Sequence, residues 1–336
     1  MSEFKTIIIS RTDSIGDVVL TLPVAHVLKK KFPGCRIIFL GKTYTKPVLE
    51  CCSSVDEILC WDELLKLEEN EQVKIFSSLK ADCIIHVFPN KQVATLAKRC
   101  GIPIRIGTSH RLFHWFTCNK LPNFTRKNSE LHEAQLNFKL LRPLGIEGEF
   151  PLSEISSYFD LTRVRPLDAE LITLIDPKRT NIILHPKSRG SAVEWGLSNF
   201  VKLVDILPKE RFKVFITGTK EEGELIGNNF SNHPDVTNLG GKLSLTELIS
   251  FINNCDALVA ASTGPLHLAA VLGKKAVGIY PSVRPIHPGR WAPVGKRASV
   301  LVSKKSCAKC GKGEHCDCLS SVTPQEVAAV LMQGLK

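Results

Sequence analysis

Long hydrophobic runs are absent from this sequence of 336 residues, because no stretch reaches the roughly 18 apolar residues that a membrane-spanning helix requires. This argues against a helical membrane protein. The first ten residues, MSEFKTIIIS, also lack the long apolar core of a signal peptide, and the charged residues Arg11 and Asp13 follow at once. We predict a first strand there and a cytoplasmic protein, whose twelve cysteines stay mostly as free thiols.

Several short binding motifs are absent as well. The sequence contains no Asp-x-Asp pair, and no second histidine follows His132 at the spacing of a zinc-protease helix. It contains no recognised nucleic-acid-binding module. Its net charge of +11 is nevertheless compatible with three kinds of partner: nucleic acid, a nucleotide-bearing substrate and an anionic membrane.

What the sequence does contain is an alternation of short apolar runs and helical stretches. A chain of this length most naturally forms two domains, and 43% hydrophobic with 23% charged residues is typical of a soluble globular protein. The alternation predicts an α/β fold with parallel sheets and helices on both faces. We assign residues 1–160 and 161–322 to the two domains, with an irregular linker at 146–165 and a final helix within 323–336 that returns to the first domain. The predicted strands are 4–10, 35–40, 57–60, 82–88, 105–107, 181–185, 211–217, 257–261 and 276–280.

Three helices carry further local signals. The helical stretch after the first strand runs to about residue 32, and Pro23 either kinks it or marks its start. Another helix is predicted at 129–144, and Thr323–Glu326 forms a capping box that begins the final helix.

The turn Ser262–Pro265 is a candidate phosphate-binding site. It joins an apolar run to a helical stretch, and a second apolar run follows, which makes one βαβ unit. Free N–H groups at the start of such a helix attract an anion, and Gly264 lets a phosphate approach closely. The alternative is a capped helix after a tight turn. The residues selected here are Thr263, Gly264, Pro265, Leu266 and His267.

A second candidate phosphate-binding loop follows the predicted strand 181–185. Lys187 and Arg189 place two positive charges at the carboxyl end of this strand, and Ser188 lies between them. A solvated basic loop without a ligand is the alternative.

The loop 11–17 follows the first predicted strand, at the edge where parallel sheets bind ligands. The candidate site residues here are Arg11, Asp13, Ser14, Gly16 and Asp17. A purely structural role is available too, because Asp17 could cap the helix that follows.

Two further stretches carry reactive or ligand-binding side chains. Residues 111–119, RLFHWFTCN, mix aromatic and basic residues, so Arg111 and His114 are candidates for a ligand-binding loop; a buried loop with a satisfied histidine is the alternative. Near the C-terminus four cysteines have the spacing C-x2-C-x5-C-x-C, which is a weak zinc signal because the final pair is tight for a structural site. Those cysteines are Cys307, Cys310, Cys316 and Cys318.

Two of these stretches resemble glycosyltransferase family 9, which contains the ADP-heptose:lipopolysaccharide heptosyltransferases. RTDSIGDVVLTLP, residues 11–23, is close to the N-terminal signature of the family. STGPLHLAA, residues 262–270, with the Pro-rich loop that ends in Arg-Trp-Ala-Pro, resembles its donor-binding half. The two motifs stand in the family's order, about one domain apart, and the resemblance covers nearly the whole chain.

The resemblance implies the GT-B architecture, two Rossmann-like domains facing a cleft, and an inverting transfer of heptose from an ADP-sugar to a lipopolysaccharide core or lipid A acceptor. Asp17 is then the catalytic base. Because no Asp-x-Asp pair is present, the N–H groups of residues 263–266, with Lys187 and Arg189, would stabilise the leaving diphosphate without a metal. No cofactor is implied besides the donor, and a basic protein suits peripheral binding on the cytoplasmic face of the anionic inner membrane.

The resemblance also implies contacts to the nucleotide. Glu222 corresponds to a glutamate that meets the ribose hydroxyls, and Leu243 could line the adenine pocket. Both have local alternatives, because a first-turn glutamate stabilises any helix and Leu243 suits the hydrophobic staple of a capping box at Ser244–Glu247. The chain departs from the family at Val193, where relatives commonly carry a lysine two residues before the tryptophan.

Two other functions are compatible with the sequence. One is a non-catalytic relative that binds a nucleotide sugar or a glycan. The other is a basic nucleic-acid-binding protein with a cysteine-rich zinc site, which would bind DNA or RNA with a steep dependence on salt. The glycosyltransferase hypothesis includes no nucleic-acid partner.

Overall fold

The computed structural model describes residues 4–127, 129–305, 307, 309 and 317–335. Contacts divide the chain into two compact units, Met1–Arg163 and Val164–Lys336. The strands described in the first unit are β1 (Thr6–Ser10), β2 (Arg36–Gly41), β3 (Glu57–Cys60), β4 (Cys83–His86) and β5 (Ile104–Ile106). Its helices are α1 (Ile15–Val19), α2 (Leu22–Lys31), α3 (Lys46–Glu50), α4 (Trp61–Leu64), α5 (Glu69–Ser78), α6 (Lys91–Arg99), α7 (Leu112–Thr117), α8 (Glu133–Phe138) and α9 (Leu152–Ile155).

The second unit repeats this alternation of strands and helices. Its described strands are β6 (Thr180–His185), β7 (Phe212–Ile216), β8 (Val236–Asn238), β9 (Ala257–Ala261), β10 (Lys275–Tyr280) and β11 (Ala298–Val302). Its helices are α10 (Ala169–Ile172), α11 (Leu197–Ile206), α12 (Lys220–Asn229), α13 (Leu245–Asn254), α14 (Gly264–Val271), α15 (Pro288–Trp291) and α16 (Pro324–Met332). Short 3₁₀ helices lie at Thr43–Thr45, Lys139–Leu144 and Cys318–Ser321.

The sheet of the first unit is parallel, with the strand order β3-β2-β1-β4-β5. Its central strand β1 is buried along its whole length, and Ile7, Ile8 and Ile9 are fully inaccessible. Apolar residues can follow one another in this way because both faces of a parallel sheet are covered. The strand order reverses between β1 and β4, and such a switch point opens a ligand-binding crevice at the carboxyl ends of the strands.

The sheet of the second unit is also parallel, with the order β11-β10-β9-β6-β7-β8. Numbered from β6 onward this is 3-2-1-4-5-6 read from the β8 edge, the order of a dinucleotide-binding sheet. Its switch point lies between β6 and β9. The predicted α/β fold with two Rossmann-like domains is confirmed.

The first helical stretch is divided at Pro23. The helix α1 ends at Val19, and α2 begins at Leu22 with Pro23 in its first turn. Proline is favoured there because the first N–H groups of a helix have no intrahelical partner. Proline thus marks the start of a helix, one of the two outcomes that the sequence allowed.

Two predicted boundaries differ from the structure. The expected linker at 146–165 contains α9, and Asp160 lies within the first unit, since its carbonyl accepts the Ser53 N–H at 2.9 Å and its carboxylate contacts His26 Nδ1 at 2.8 Å. The helix expected from residue 129 begins at Glu133, because His132 accepts the Ala134 N–H and so takes the N-cap position. These side-chain contacts determine where the first unit ends and where the helix begins. They cannot be predicted from the periodicity of apolar residues.

The terminal helix α16 packs within the second unit. Its predicted capping box is present, with Thr323 and Glu326 each accepting the other's N–H. Its buried face, which includes Val327 and Leu331, joins the core of this unit and packs against α11. The expected return of this helix to the first domain stays a prediction. Within the described residues, no helix is both long and apolar enough to cross a membrane.

Candidate active site

In the first unit, the candidate residues of loop 11–17 lie at the switch point. Ser10, the last residue of β1, is the register partner of His86 at the end of β4, so both chains leave the sheet side by side. Arg11 extends the ladder by donating its N–H to the Leu40 carbonyl at 3.0 Å. The residues Asp13, Ser14 and Asp17 then turn into α1 directly above this edge.

The Arg11 side chain organises this loop. It is only 3% exposed, and its guanidinium contacts three carboxylates. Nε donates to Asp13 Oδ1 at 2.7 Å, Nη1 donates to Glu133 Oε1 at 3.1 Å, and Nη2 donates to Asp17 Oδ1. One buried cation thereby fixes the positions of two carboxylates that point toward the loop and one that is buried beneath it.

The charges in this cluster shift one another's protonation. Burial acts to lower the pKa of Arg11, but the nearby charges of Asp17, Asp13 and Glu133 raise it above its usual range. Burial raises the pKa of Asp13 to about 6; the Arg11 charge opposes this rise and the Asp17 charge adds to it. Arg11 therefore stays charged, while Asp13 loses its charge at a higher pH than an ordinary aspartate does.

The Asp17 carboxylate does not cap its helix within the described residues. It accepts from Arg11 and from the Ser14 hydroxyl, and the N-cap Ser14 makes no side-chain capping bond. Ser14 and Gly16 thus shape the turn, and the carboxylate is held by side chains. This arrangement favours a chemical role over the structural alternative.

Sequence reasoning missed the support beneath Arg11. Glu133, 1% exposed, also accepts from Arg126 Nε at 3.1 Å, and Arg126 donates to Asn137 Oδ1 at 3.0 Å. Asn137 in turn donates to Thr21 Oγ1 at 3.3 Å, and the Thr21 hydroxyl donates to the Asp17 carbonyl at 2.8 Å. The available signal was a charged residue next to His132 in the predicted helix 129–144.

The residues Arg111 and His114 occupy different environments. Arg111 is exposed at the start of α7, whereas His114 is fully buried, with Nδ1 3.0 Å from the Thr108 carbonyl. The His114 ring lies 5.7 Å from the ring of His86, and burial lowers the pKa of His114. His114 thus matches the buried-histidine alternative, and Arg111 remains available to a ligand.

His86 makes the first unit sensitive to acid. Burial, with the charges of His114 and Arg105, lowers its pKa to about 3. The unfolded chain, with a histidine pKa near 6.5, therefore binds one more proton between about pH 6.5 and 3. Stability from neutral His86 is complete above that window and is lost as the pH falls through it.

As the pH falls through this window, the free energy of unfolding of the wild-type chain should decrease more steeply than that of His86→Leu. We expect the difference in slope to be about 1.4 kcal/mol per pH unit. Urea unfolding at pH 7, 6 and 5 measures both slopes. Since neither His86 ring nitrogen has a hydrogen-bond partner among the described residues, leucine removes no hydrogen bond to them. Equal slopes in the two proteins would contradict the assignment.

In the second unit, both candidate phosphate-binding loops lie at the switch point. His185, the last residue of β6, pairs in register with Ala260 of β9. The loop with Lys187, Ser188 and Arg189 therefore leaves the sheet beside the turn that begins α14. The structure brings together the two loops that the sequence selected about 75 residues apart.

The two cations of the 187–189 loop are held differently. Lys187 Nζ pairs with the Glu194 carboxylate, which also accepts the Ser188 N–H at 2.9 Å and the Ser188 hydroxyl at 3.1 Å. Arg189 is exposed and has a left-handed φ of +51°, which is uncommon for a residue with a side chain. Lys187 and Ser188 are thus fixed by Glu194, whereas Arg189 projects from a sharply turned backbone.

The start of α14 is suited to an anion. Thr263 is the N-cap but makes no side-chain capping bond, and its buried hydroxyl has no partner among the described residues. Gly264 and Leu266 lie in the first turn, where N–H groups lack intrahelical acceptors, while Pro265 contributes no N–H. His267 is buried and donates its N–H to the Thr263 carbonyl at 3.3 Å. The N–H groups that this turn can offer to an anion are therefore fewer than the sequence suggested.

Comparison with known proteins decides the family. The model of "Glycosyltransferase family 9 (heptosyltransferase)" matches residues 73–318, most of the chain and both units. The chain belongs to glycosyltransferase family 9. It is a glycosyltransferase enzyme.

One relative and two solved structures align over almost the full length of this family 9 glycosyltransferase. Lipooligosaccharide heptosyltransferase 2 of Haemophilus ducreyi is 28% identical and is aligned over 96% of this chain and 97% of its own. The family 9 glycosyltransferase of Veillonella parvula superposes with a TM-score of 0.76 at 21% identity, covering 97% of this chain and 95% of its own. E. coli heptosyltransferase WaaC, solved with ADP, superposes with a TM-score of 0.73 at 16% identity, covering 98% and 100%. These likenesses agree with the GT-B fold.

The nucleotide-contact candidates of this glycosyltransferase also have local structural roles. Glu222 accepts the Thr219 N–H at 2.8 Å and completes a capping box at the start of α12. Leu243 is half-buried just before Ser244, the N-cap of the predicted capping box on α13, which is present. Val193 is partly buried and packs on the apolar core of the second unit. No positive charge can come from position 193.

The cysteine cluster lies partly outside the described residues. Cys310 and Cys316 belong to the part of the chain that the structure does not describe. Cys307 is half-buried and Cys318 is buried. The zinc site therefore stays a prediction.

Proposed function

We propose that this enzyme transfers heptose, with inversion and without a metal, from ADP-heptose or a related nucleotide sugar to a lipopolysaccharide core or lipid A acceptor. The observation that carries the proposal is the pair of adjacent loops at the switch point of the second unit. They offer Lys187, Arg189 and the N–H groups of Gly264 and Leu266 to a diphosphate. The family match and the relatives named as heptosyltransferases support the same reaction.

Asp17 is the base in this proposal. It would accept the proton of the acceptor hydroxyl as the hydroxyl oxygen attacks the anomeric carbon and the bond to the diphosphate breaks. Its carboxylate is 17% exposed, so it is accessible to a substrate while Arg11 and Ser14 hold it in place. The displacement from the opposite side produces the inversion.

The leaving diphosphate needs positive charge, and the second unit supplies it. Arg189 and Lys187 would contact its oxygens, with the Thr263 hydroxyl as a further donor. Lys187 is already paired with Glu194, so the carboxylate partly compensates its positive charge. Arg189 therefore carries most of the electrostatic contribution.

The acceptor accounts for the basic character of the chain. A lipopolysaccharide core carries phosphates and carboxylates and is anchored in an anionic membrane, which suits a protein of net charge +11. We propose that the enzyme works as a peripheral protein on the cytoplasmic face of the inner membrane, with Arg111 on the acceptor side.

A non-catalytic nucleotide-sugar-binding relative is the second candidate. It is favoured by one observation, the apolar Val193 where relatives commonly carry a lysine. It predicts donor binding without transfer, so the two candidates separate in an assay of heptose transfer to purified acceptor.

The donor site is tested by calorimetry with ADP and ADP-heptose in the absence of magnesium. We expect Arg189→Ala to weaken binding by about tenfold or more, because a hydrogen bond to a charged group contributes roughly 1.5–3 kcal/mol. Lys202→Ala, on the exposed side of α11, removes the same charge elsewhere in this unit and should leave the affinity unchanged. Binding that requires magnesium, or an equal loss in both variants, would contradict the site.

A further inference from the structure

The helix α7 exposes its apolar side chains to solvent. Leu112 is 78% exposed, Phe116 68% and Trp115 61%, the three highest values among the large hydrophobic residues described. The three lie on one face, because positions i, i+3 and i+4 of a helix are neighbours. The opposite face carries His114 and Thr117, which are buried. Burial on α7 is thus the reverse of the usual pattern, with the polar side chains inside.

This apolar face is held rigidly. The Trp115 indole Nε1 donates to the Ser109 carbonyl at 2.8 Å, which fixes the ring although most of its surface is exposed. The last turn is tied down as well, because Arg105 Nε donates to the Thr117 carbonyl at 2.7 Å. A group of exposed apolar side chains rimmed by polar residues is typical of a surface that binds a protein or a membrane.

The charge around α7 identifies the partner. Residues 83–129 contain eight lysines and arginines and no aspartate or glutamate, so this seventh of the chain holds +8 of the net +11. Arg111 and Lys120 flank α7 directly, and Lys91 and Lys98 are exposed on α6, which packs against α7. Apolar and aromatic side chains surrounded by cations match a bilayer interface, where the rings enter the headgroup region and the cations meet anionic lipids.

We propose that Leu112, Trp115 and Phe116 form an interfacial anchor that inserts into an anionic lipid bilayer. The physiological role of this anchor rests on the proposed lipid-linked acceptor, whereas its binding to lipid does not depend on donor, acceptor or turnover. The anchor would bring the first unit to the membrane that carries the acceptor and would place Arg111 at the lipid surface.

The test is flotation of the full chain with vesicles of phosphatidylglycerol and phosphatidylcholine, compared with pure phosphatidylcholine. We expect the wild type to float with the anionic vesicles and to be released by high salt. Leu112→Ser/Phe116→Ser should lower the partition coefficient by about tenfold or more, because two apolar side chains are lost. Ile172→Ser/Leu225→Ser is the matched control, since Ile172 (51%) and Leu225 (48%) are exposed apolar residues of the second unit. This control variant should bind the anionic vesicles as strongly as the wild type does.

A second measurement locates the contact. Brominated phosphatidylglycerol should quench tryptophan emission in the wild type and in the control but much less in Trp115→Phe. Equal flotation of both double variants, or quenching that survives Trp115→Phe, would overturn the proposal. The proposal would also be overturned if the wild type did not bind vesicles but formed a dimer, and if Leu112→Ser/Phe116→Ser dissociated that dimer while the control variant did not. Transfer to a soluble, deacylated acceptor tests the catalytic proposal separately and should be equal in all of these proteins.

Discussion

Replacing Asp17 with asparagine should lower the rate of heptose transfer by roughly 100-fold or more, the scale on which general-base catalysis contributes. The amide keeps the shape of the carboxylate, and its single oxygen can still accept from Arg11 while its NH2 group faces the Ser14 hydroxyl, but it cannot take a proton. Because no backbone N–H in the described residues is capped by Asp17, helix α1 should survive the change. Single-turnover assays with saturating donor would measure the loss, and calorimetry should give an unchanged donor affinity.

Asp13→Asn is the matched control, since Asp13 contacts the same guanidinium at 2.7 Å. Burial raises the pKa of Asp13 to about 6, so part of the population is already neutral near that pH. We therefore expect a much milder effect, smallest at pH 6 and larger at pH 8. Near-wild-type transfer by Asp17→Asn would refute the mechanism without affecting the family assignment.

Replacing Glu133 with alanine should destabilise the first unit by about 3–5 kcal/mol, because it leaves the buried guanidinium of Arg11 and the partly buried guanidinium of Arg126 without the carboxylate between them. Glu133 is 1% exposed and accepts from both Arg11 and Arg126. For a unit of this size the melting temperature should fall by roughly 10 °C. Transfer should fall as well, since Arg11 loses one of the contacts that position it beside Asp17.

Two variants separate the stability effect from the effect on Arg11. Glu63→Ala removes the partner of Lys66 in an ion pair whose side chains are 53% and 68% exposed, so the melting temperature should barely change. Glu133→Gln keeps an acceptor of the same shape, and calorimetric melting should place it between the wild type and Glu133→Ala. A Glu133→Ala protein that melts like the wild type would show that the buried cluster contributes little.

The elements that could be predicted from the sequence are those set by neighbouring residues. Each of the strands β1, β6, β9 and β10 contains a short run of apolar residues, as is typical of strands covered on both faces. The capping boxes on α13 and α16 and the break at Pro23 need only a few adjacent side chains. Such signals are short-range, so they are readable before the chain is folded.

Two strands were not predicted. β8 has three residues and β11 five, and each is only half-buried along its length because it lies at an edge of the second sheet. An edge strand needs no continuous apolar run, so its sequence resembles a loop. Parallel pairing with β7 and β10 specifies these segments, and that pairing exists only in the folded unit.

The sequence by itself determined the family, the α/β alternation and which loops carry Asp17, Lys187, Arg189 and Thr263. Only the tertiary structure decided how those side chains are held: Glu133 reaches Arg11 across 122 positions, and Lys187 is already paired with Glu194. Tertiary packing likewise turned His114 inward and left Trp115 outside on the same short helix. The physical reason is that burial and ion pairing depend on partners distant in sequence, whereas strand, turn and cap signals depend on neighbours.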